Sequence, residues 1–193
     1  MSASKGDRDA LSKLVSLWYK RIYNFTFKYF SDHDLAMETC QRTFISVYKS
    51  IHKLESPERF KSWLYRIAIN YCHEEERRSK KKLGIAFSRF SKDEEQEDKV
   101  GNQEATGTFY DPEKQYQRNE LSELLLEALG EVNEEQRAVL IMKEYEGLKF
   151  REIADVLGIS ENTAKSRLYY GLNALKKILE KRNINKETIH YGF

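Results

Sequence analysis

The chain is poor in the residues that interrupt helices, with 2 prolines and 9 glycines among 193 residues. That scarcity excludes collagen-like and Gly/Pro-rich disordered classes and favours long uninterrupted helices. Cysteine is equally scarce. Cys40 and Cys72 form no disulfide framework, and both fall inside helical patterns, as small half-buried or buried residues of a reducing compartment would. No run approaches the roughly 18–20 uncharged apolar residues of a membrane span. The stretch Met1–Ala10, with Lys5, Asp7, Arg8 and Asp9, has no apolar signal-peptide core. A cytoplasmic location without membrane insertion is therefore expected. Catalytic signatures are missing too. His73-Glu74-Glu75-Glu76-Arg77 begins like a zinc-protease HExxH and fails at Arg77, where the second His belongs. There is no GxxxxGK[ST], no Gly-rich dinucleotide turn and no Cys-x2-Cys spacing, and His33, His52, His73 and His190 are scattered. Neither an enzyme nor a cofactor or metal is expected.

What the chain has is charge, in blocks. The total is only +2, yet Met1–Lys82 carries +7, Leu83–Pro112 −4, Glu113–Glu146 −5 and Gly147–Phe193 +4. Two separated basic blocks suggest two contacts with a polyanion.

Apolar spacing predicts helices throughout. Leu11, Leu14, Val15, Trp18, Ile22, Phe25 and Tyr29 form one stripe from Asp9 to Phe30. Asp34 is the expected N-cap of a second helix reaching Leu54, with Leu35, Cys40, Phe44, Val47, Tyr48 and Ile51 inward. Pro57 breaks it. A third helix spans Glu58–Lys81, carries Phe60, Trp63, Leu64, Ile67, Ala68 and Tyr71, and ends in Arg77-Arg78-Ser79-Lys80-Lys81-Lys82. Residues 83–112 lack a period and contain Asp93-Glu94-Glu95-Gln96-Glu97-Asp98, which reads as a flexible acidic linker with a few apolar residues, among them Ile85, Phe87, Phe90, Phe109 and Tyr110. Helices resume near Pro112, with Leu121, Leu124, Leu125 and Ala128 on one face. Asn133 caps the next helix, which carries Val139, Leu140, Met142 and Tyr145 and stops at Gly147. The fold class is all-α: two small helical domains, 1–82 and 113–183, a linker at 83–112 and a tail at 184–193.

The sharpest local signal runs from Phe150 to Arg167. Ile153, Ala154 and Leu157 make the inward face of a short helix, Gly158 supplies a left-handed stop, Ile159 plugs the corner and Ser160 caps a second helix. This is a helix-turn-helix, which presents its second helix to a DNA major groove. On that helix Ala164, Leu168, Leu172 and Leu175 point inward, leaving Asn162, Thr163, Lys165, Ser166, Arg167, Tyr169 and Tyr170 for phosphates and base edges. A repressor-type motif wants an apolar residue at Arg167, and here it arrives one position later, at Leu168.

With the first domain included, nearly the whole chain resembles the extracytoplasmic-function (ECF) family of bacterial sigma factors. Glu38, Gln41, Thr43 and Phe44 match the family's second-region helix. Phe60-Lys61-Ser62-Trp63-Leu64-Tyr65-Arg66-Ile67-Ala68-Ile69-Asn70, closed by Arg77-Arg78, matches its Phe-x-x-Trp-Leu-x-x-Ile-Ala-x-Asn, and Thr163-Ala164-Lys165-Ser166-Arg167-Leu168 looks like its Thr-Val-Lys-Ser-Arg-Leu. The departures are Thr39-Cys40, in place of a more apolar pair, and Tyr170, where Arg is common.

The resemblance implies partners and roles. Asp34, Glu38, Gln41 and Arg42 would dock on the clamp helices of the largest subunit of core RNA polymerase. Phe60, Lys61, Trp63, Arg66, Asn70, Arg77 and Arg78 would read the −10 element of promoter DNA and hold its melted strand, with Lys80, Lys81 and Lys82 on phosphates. Opening DNA needs cations for phosphates and aromatic surface to replace lost stacking; Trp63 could instead be a core anchor. The exposed face of the last helix would read the −35 element. An anti-sigma protein is typical of such factors. The competing reading is a dimeric helix-turn-helix regulator that needs no polymerase, although the sequence offers no dimerisation segment.

Overall fold

A computed structural model describes residues 8–54, 56–90, 112–182 and 184, with side chains from Asp9 to Lys81 (Glu55 aside) and from Leu121 onward. Helix α1 (Arg8–Phe30) turns the sequence stripe inward, and Ile22, Phe25 and Tyr29 are fully buried. Ser31, in the left-handed region at φ 53°, reverses the chain. Helix α2 (His33–Ser50) is capped by Asp32, whose carboxylate accepts the Leu35 N–H at 2.8 Å. The cap is thus two residues earlier than the expected Asp34, which sits in the first turn, where its charge suits the helix dipole. Buried Thr26 locks the α1–α2 crossing: its hydroxyl lies 3.0 Å from the Ile22 carbonyl and 3.1 Å from that of Ala36 on α2.

Two 3-10 turns, Ile51–Lys53 and Pro57–Arg59, lead into α3 (Phe60–Phe90), which continues nine residues past the stop expected at Lys81. The acidic run 93–98, the rest of 91–111 and the tail 185–193 lie outside the described residues. Helix α4 (Pro112–Glu131) opens the second unit. Asn133 caps α5 (Glu134–Leu140) as expected, accepting the Glu135 N–H at 3.0 Å. One π-helical turn, Ile141–Tyr145, then runs on to Gly147, whose φ of 63° ends it. Helices α6 (Phe150–Leu157) and α7 (Glu161–Lys181) complete the second unit.

The two helical units are both present, and they share a core. Helix α3 packs on α2 and α1 and also on α6, while α1 touches α4 and the π turn. A single apolar cluster therefore runs from Phe25, Leu64 and Ile69 to Met142, Ile153 and Val156. This adds one residue to the inward faces and corrects two. Val156, which a free helix-turn-helix would expose, is buried because α6 is covered on two sides. Tyr48 and Leu172, expected inside, stand 59% and 44% exposed.

On α7 the inward line is Ala164, Leu168, Gly171, Leu175 and Ile178, spaced four, three, four and three. Gly171 takes the place intended for Leu172 because α5 crosses there. A Cβ at Gly171 would lie 3.0 Å from Leu140 Cδ1 and 3.2 Å from Gln136 Cβ. We expect Gly171→Val to lose about 1–3 kcal/mol from overpacking. Gly171→Ala should stay near neutral, because about 1 kcal/mol of helix propensity offsets a smaller clash. Urea denaturation followed by circular dichroism separates the two.

Candidate nucleic-acid interface

The helix-turn-helix forms by the local devices read from its sequence. Gly158 adopts φ 66°, ψ 36°, and the Ile159 N–H closes the turn onto the Ala154 carbonyl at 3.1 Å. Ser160 Oγ accepts the Thr163 N–H at 3.0 Å and sits 2.8 Å from the Thr163 hydroxyl, which is therefore partly engaged in capping. Ala164 is fully buried at the crossing, where a larger side chain would force the helices apart. Glu152 stabilises the start of α6 by accepting the Lys149 N–H at 2.7 Å.

The outer face of α7 holds most of the residues read for it. Asn162, Thr163, Lys165, Ser166, Tyr169 and Tyr170 are exposed, and the two tyrosine rings meet edge to face at 5.6 Å. Lys165 Nζ lies 5.8 Å from the Phe150 ring centre, which steadies a long side chain without neutralising it. Arg167 behaves differently. It is half-buried and paired with Glu135 of α5 at 2.6 Å.

On α3, Arg66, Asn70 and Arg77 are exposed along one line that continues from half-buried Trp63. Trp63 packs beside Phe60 at 6.1 Å, and Phe60 meets Trp18 edge to face at 5.6 Å. The tryptophan is thus held against Phe60 while staying half-buried. Arg78 is paired at 2.6 Å with Glu74 and at 3.4 Å with Glu75. Tyr65, two residues after Trp63, is fully buried, and its hydroxyl donates to Glu146.

Helix α2 exposes Asp34, Glu38 and Gln41 on a line that continues through Ile45 and Tyr48, again spaced four, three, four and three. Ile45 and Tyr48 are 53% and 59% exposed, and the sequence reading missed this role for both; their signal is an apolar residue in the outward phase of an amphipathic helix. Arg42 leaves that line. It lies over the Tyr71 ring at 4.4 Å and pairs with Glu74 at 2.9 Å and Glu75 at 3.6 Å.

The units also meet through polar contacts. Arg137 of α5 donates to the Tyr29 carbonyl at 2.8 Å, pairs with Glu76 at 3.3 Å and stacks 5.0 Å over the Tyr29 ring. The Tyr29 hydroxyl donates to Glu76 at 3.1 Å, and Lys80 meets Glu134 at 2.6 Å. Burial, reinforced by a hydrogen bond with Glu134, pushes the Glu76 carboxyl up to about 7. That shared hydrogen bond, with Lys80, holds Glu134 low. Burial also raises the Tyr29 and Tyr65 phenols.

Two DNA-suited faces on one helical chain define a class, a transcription protein with a helix-turn-helix. Comparison with known proteins narrows it. Residues 14–82 match Sigma-70 region 2 and residues 122–175 match Sigma-70, region 4, together more than half of the chain. The ECF RNA polymerase sigma factor SigW of Bacillus subtilis is 29% identical, over 91% of each chain. The RNA polymerase sigma-H factor of Pseudomonas aeruginosa is 26% identical, over 91% of this chain and 89% of that one. The fold is that of the sigma factor RpoE, solved in complex with the anti-sigma factor NepR from Bartonella quintana: TM-score 0.67 at 20% identity, covering 88% of this chain and 96% of that one. The chain belongs to the ECF branch of the sigma-70 family and directs promoter-specific transcription initiation.

Glu76 gives the contact between units a pH signature. Its carboxyl binds a proton more tightly folded than unfolded, so its contribution is full below about 4.5 and is lost as pH rises through about 7. Glu134, shifted downward, loses its contribution only in acid below that range. We expect a lower Tm at pH 8 than at pH 6 by circular dichroism, with the difference reduced in Glu76→Gln.

Proposed function

We propose that residues 1–82 bind core RNA polymerase, read the −10 element and help melt it, while residues 113–183 read the −35 element. The observation that supports this most is the pair of exposed, chemically different faces on α3 and α7. Helix α7 offers Asn162, Thr163, Lys165 and Ser166 to base edges and phosphates, with the Tyr169–Tyr170 pair alongside. Helix α3 offers Arg66, Asn70 and Arg77 for a backbone and half-buried Trp63 for an unstacked base. In this assignment Arg78 and Arg167 contact DNA only after leaving their carboxylates.

The polymerase surface is the α2 line Asp34, Glu38, Gln41, Ile45 and Tyr48. An exposed stripe at four-three spacing, with apolar residues at one end, suits a helical partner, as clamp helices of the largest subunit would be. Arg42 supports that surface from behind through its pairs with Glu74 and Glu75. An anti-sigma protein is a further partner, because the RpoE structure that shares this fold was solved in complex with the anti-sigma factor NepR.

In vitro transcription from a promoter library, with bacterial core polymerase and the purified chain, tests the assignment. Promoter-specific transcripts absent with core alone are expected. Lys165→Ala should weaken −35-dependent promoter binding by about 1–3 kcal/mol, roughly five- to 150-fold, and leave polymerase affinity intact. Ile45→Glu should do the reverse, lowering polymerase affinity in a pull-down while the free chain keeps its fold. Equal loss of both activities in either variant contradicts the division of labour.

A further inference from the structure

We propose that the cleft between α1 and the π turn binds a nucleoside diphosphate, with its phosphates on Arg21 and Lys28 and its base on Tyr145. The cleft has a volume of about 310 Å³ and is lined by Arg21, Asn24, Lys28, Tyr145 and Glu146. The first three follow one another on α1 at spacings of three and four residues, so they share one face of the helix. Arg21 and Lys28 stand seven residues apart, about 10 Å along the axis. Two long cationic side chains at that spacing close onto a diphosphate more readily than onto a single phosphate.

Charge sets these two cations apart. Other cations at the contact between the units are matched by carboxylates: Lys61 faces Glu152 at 4.0 Å, Lys80 meets Glu134 at 2.6 Å and Arg137 meets Glu76 at 3.3 Å. Arg21 and Lys28 make no ion pair within 4.0 Å among the described residues. Arg21 rests instead 5.4 Å from the Trp18 ring centre, and Lys28 5.0 Å from that of Tyr145. Burial lowers the Lys28 ammonium below the usual lysine range and Glu146 opposes the shift, so a bound anion would favour the charged form further. Asn24 supplies amide donors for a phosphate oxygen. Tyr145 is 47% exposed, and a base can stack on such a ring whatever its identity. Glu146 takes the Tyr65 hydroxyl on Oε2, which leaves Oε1 to accept from a ribose hydroxyl or a base amino group. The cleft thus holds a group for each part of the ligand, and none of its residues belongs to the faces assigned to DNA.

Isothermal titration calorimetry of the full chain tests this, with GDP, ADP, pyrophosphate and adenosine as the probes. At least one of the two nucleotides should bind saturably, at one site per chain. Pyrophosphate and adenosine should bind roughly tenfold more weakly or worse, since each carries only part of the recognised groups. Arg21→Gln and Lys28→Gln should each raise the nucleotide Kd about tenfold, through loss of a charge-assisted contact. Lys20→Gln removes the same charge one residue from Arg21 and outside the cleft, and should change Kd by no more than about twofold. Arg21 is exposed, so its variant keeps the fold and carries the test should Lys28→Gln unfold. Failure of both nucleotides to bind at millimolar concentration overturns the proposal. An equal loss in Lys20→Gln overturns it too, because that result marks general charge attraction. Pyrophosphate bound as tightly as the nucleotides overturns the placement of the base on Tyr145 and leaves an anion site only.

Discussion

Helix α3 is buried along two sides, and the positions of the functional faces follow from that constraint. On one side Leu64, Ala68 and Cys72 complete the core with α1 and α2. On the other, α6 packs against it and Tyr65 bonds to Glu146, beside the π turn. A helix with two covered sides has only a narrow strip left for solvent, and Trp63, Arg66, Asn70 and Arg77 fall on it. The residues proposed for single-stranded DNA and those that join the two units therefore interleave along the same helix.

Charge is handled in keeping with this. The first basic block is not a uniform cationic surface. Arg42 and Arg78 are paired with Glu74 and Glu75, and Lys80 with Glu134, while Arg77 stays exposed. Exposed pairs of this kind contribute little to stability and exchange readily with phosphate. The buried Arg137–Glu76–Tyr29 cluster is of another kind. Its groups are mostly out of water, and it fixes one geometry of the two units more than it adds free energy.

Much was legible in the sequence because it depends on neighbours close in the chain. The α1 stripe, the Asn133 and Ser160 caps and the left-handed Gly158 all rest on contacts within a few residues, and each is found as read. Most of the α7 outer face followed from helix phase once Ala164 was set inward. The misreadings also have local causes. Asp32 and Asp34 are both good caps, and only the backbone of Ser31 decides between them. Leu172, four residues after Leu168, fits an inward line as well as Gly171 does by spacing, and only the approach of α5 selects Gly171.

The amino-acid sequence by itself determined the helices, their caps, the helix-turn-helix and the family motifs, since these follow from propensity, periodicity and short-range hydrogen bonds. The tertiary structure alone decided that the two units share a core, that Val156 and Tyr65 are buried, and that Arg167 and Arg42 are held by acids on other helices. Pairs such as Tyr65 with Glu146, or Tyr29 with Arg137, lie far apart along the chain. No periodicity records such pairs, because they arise only when one helix packs against another.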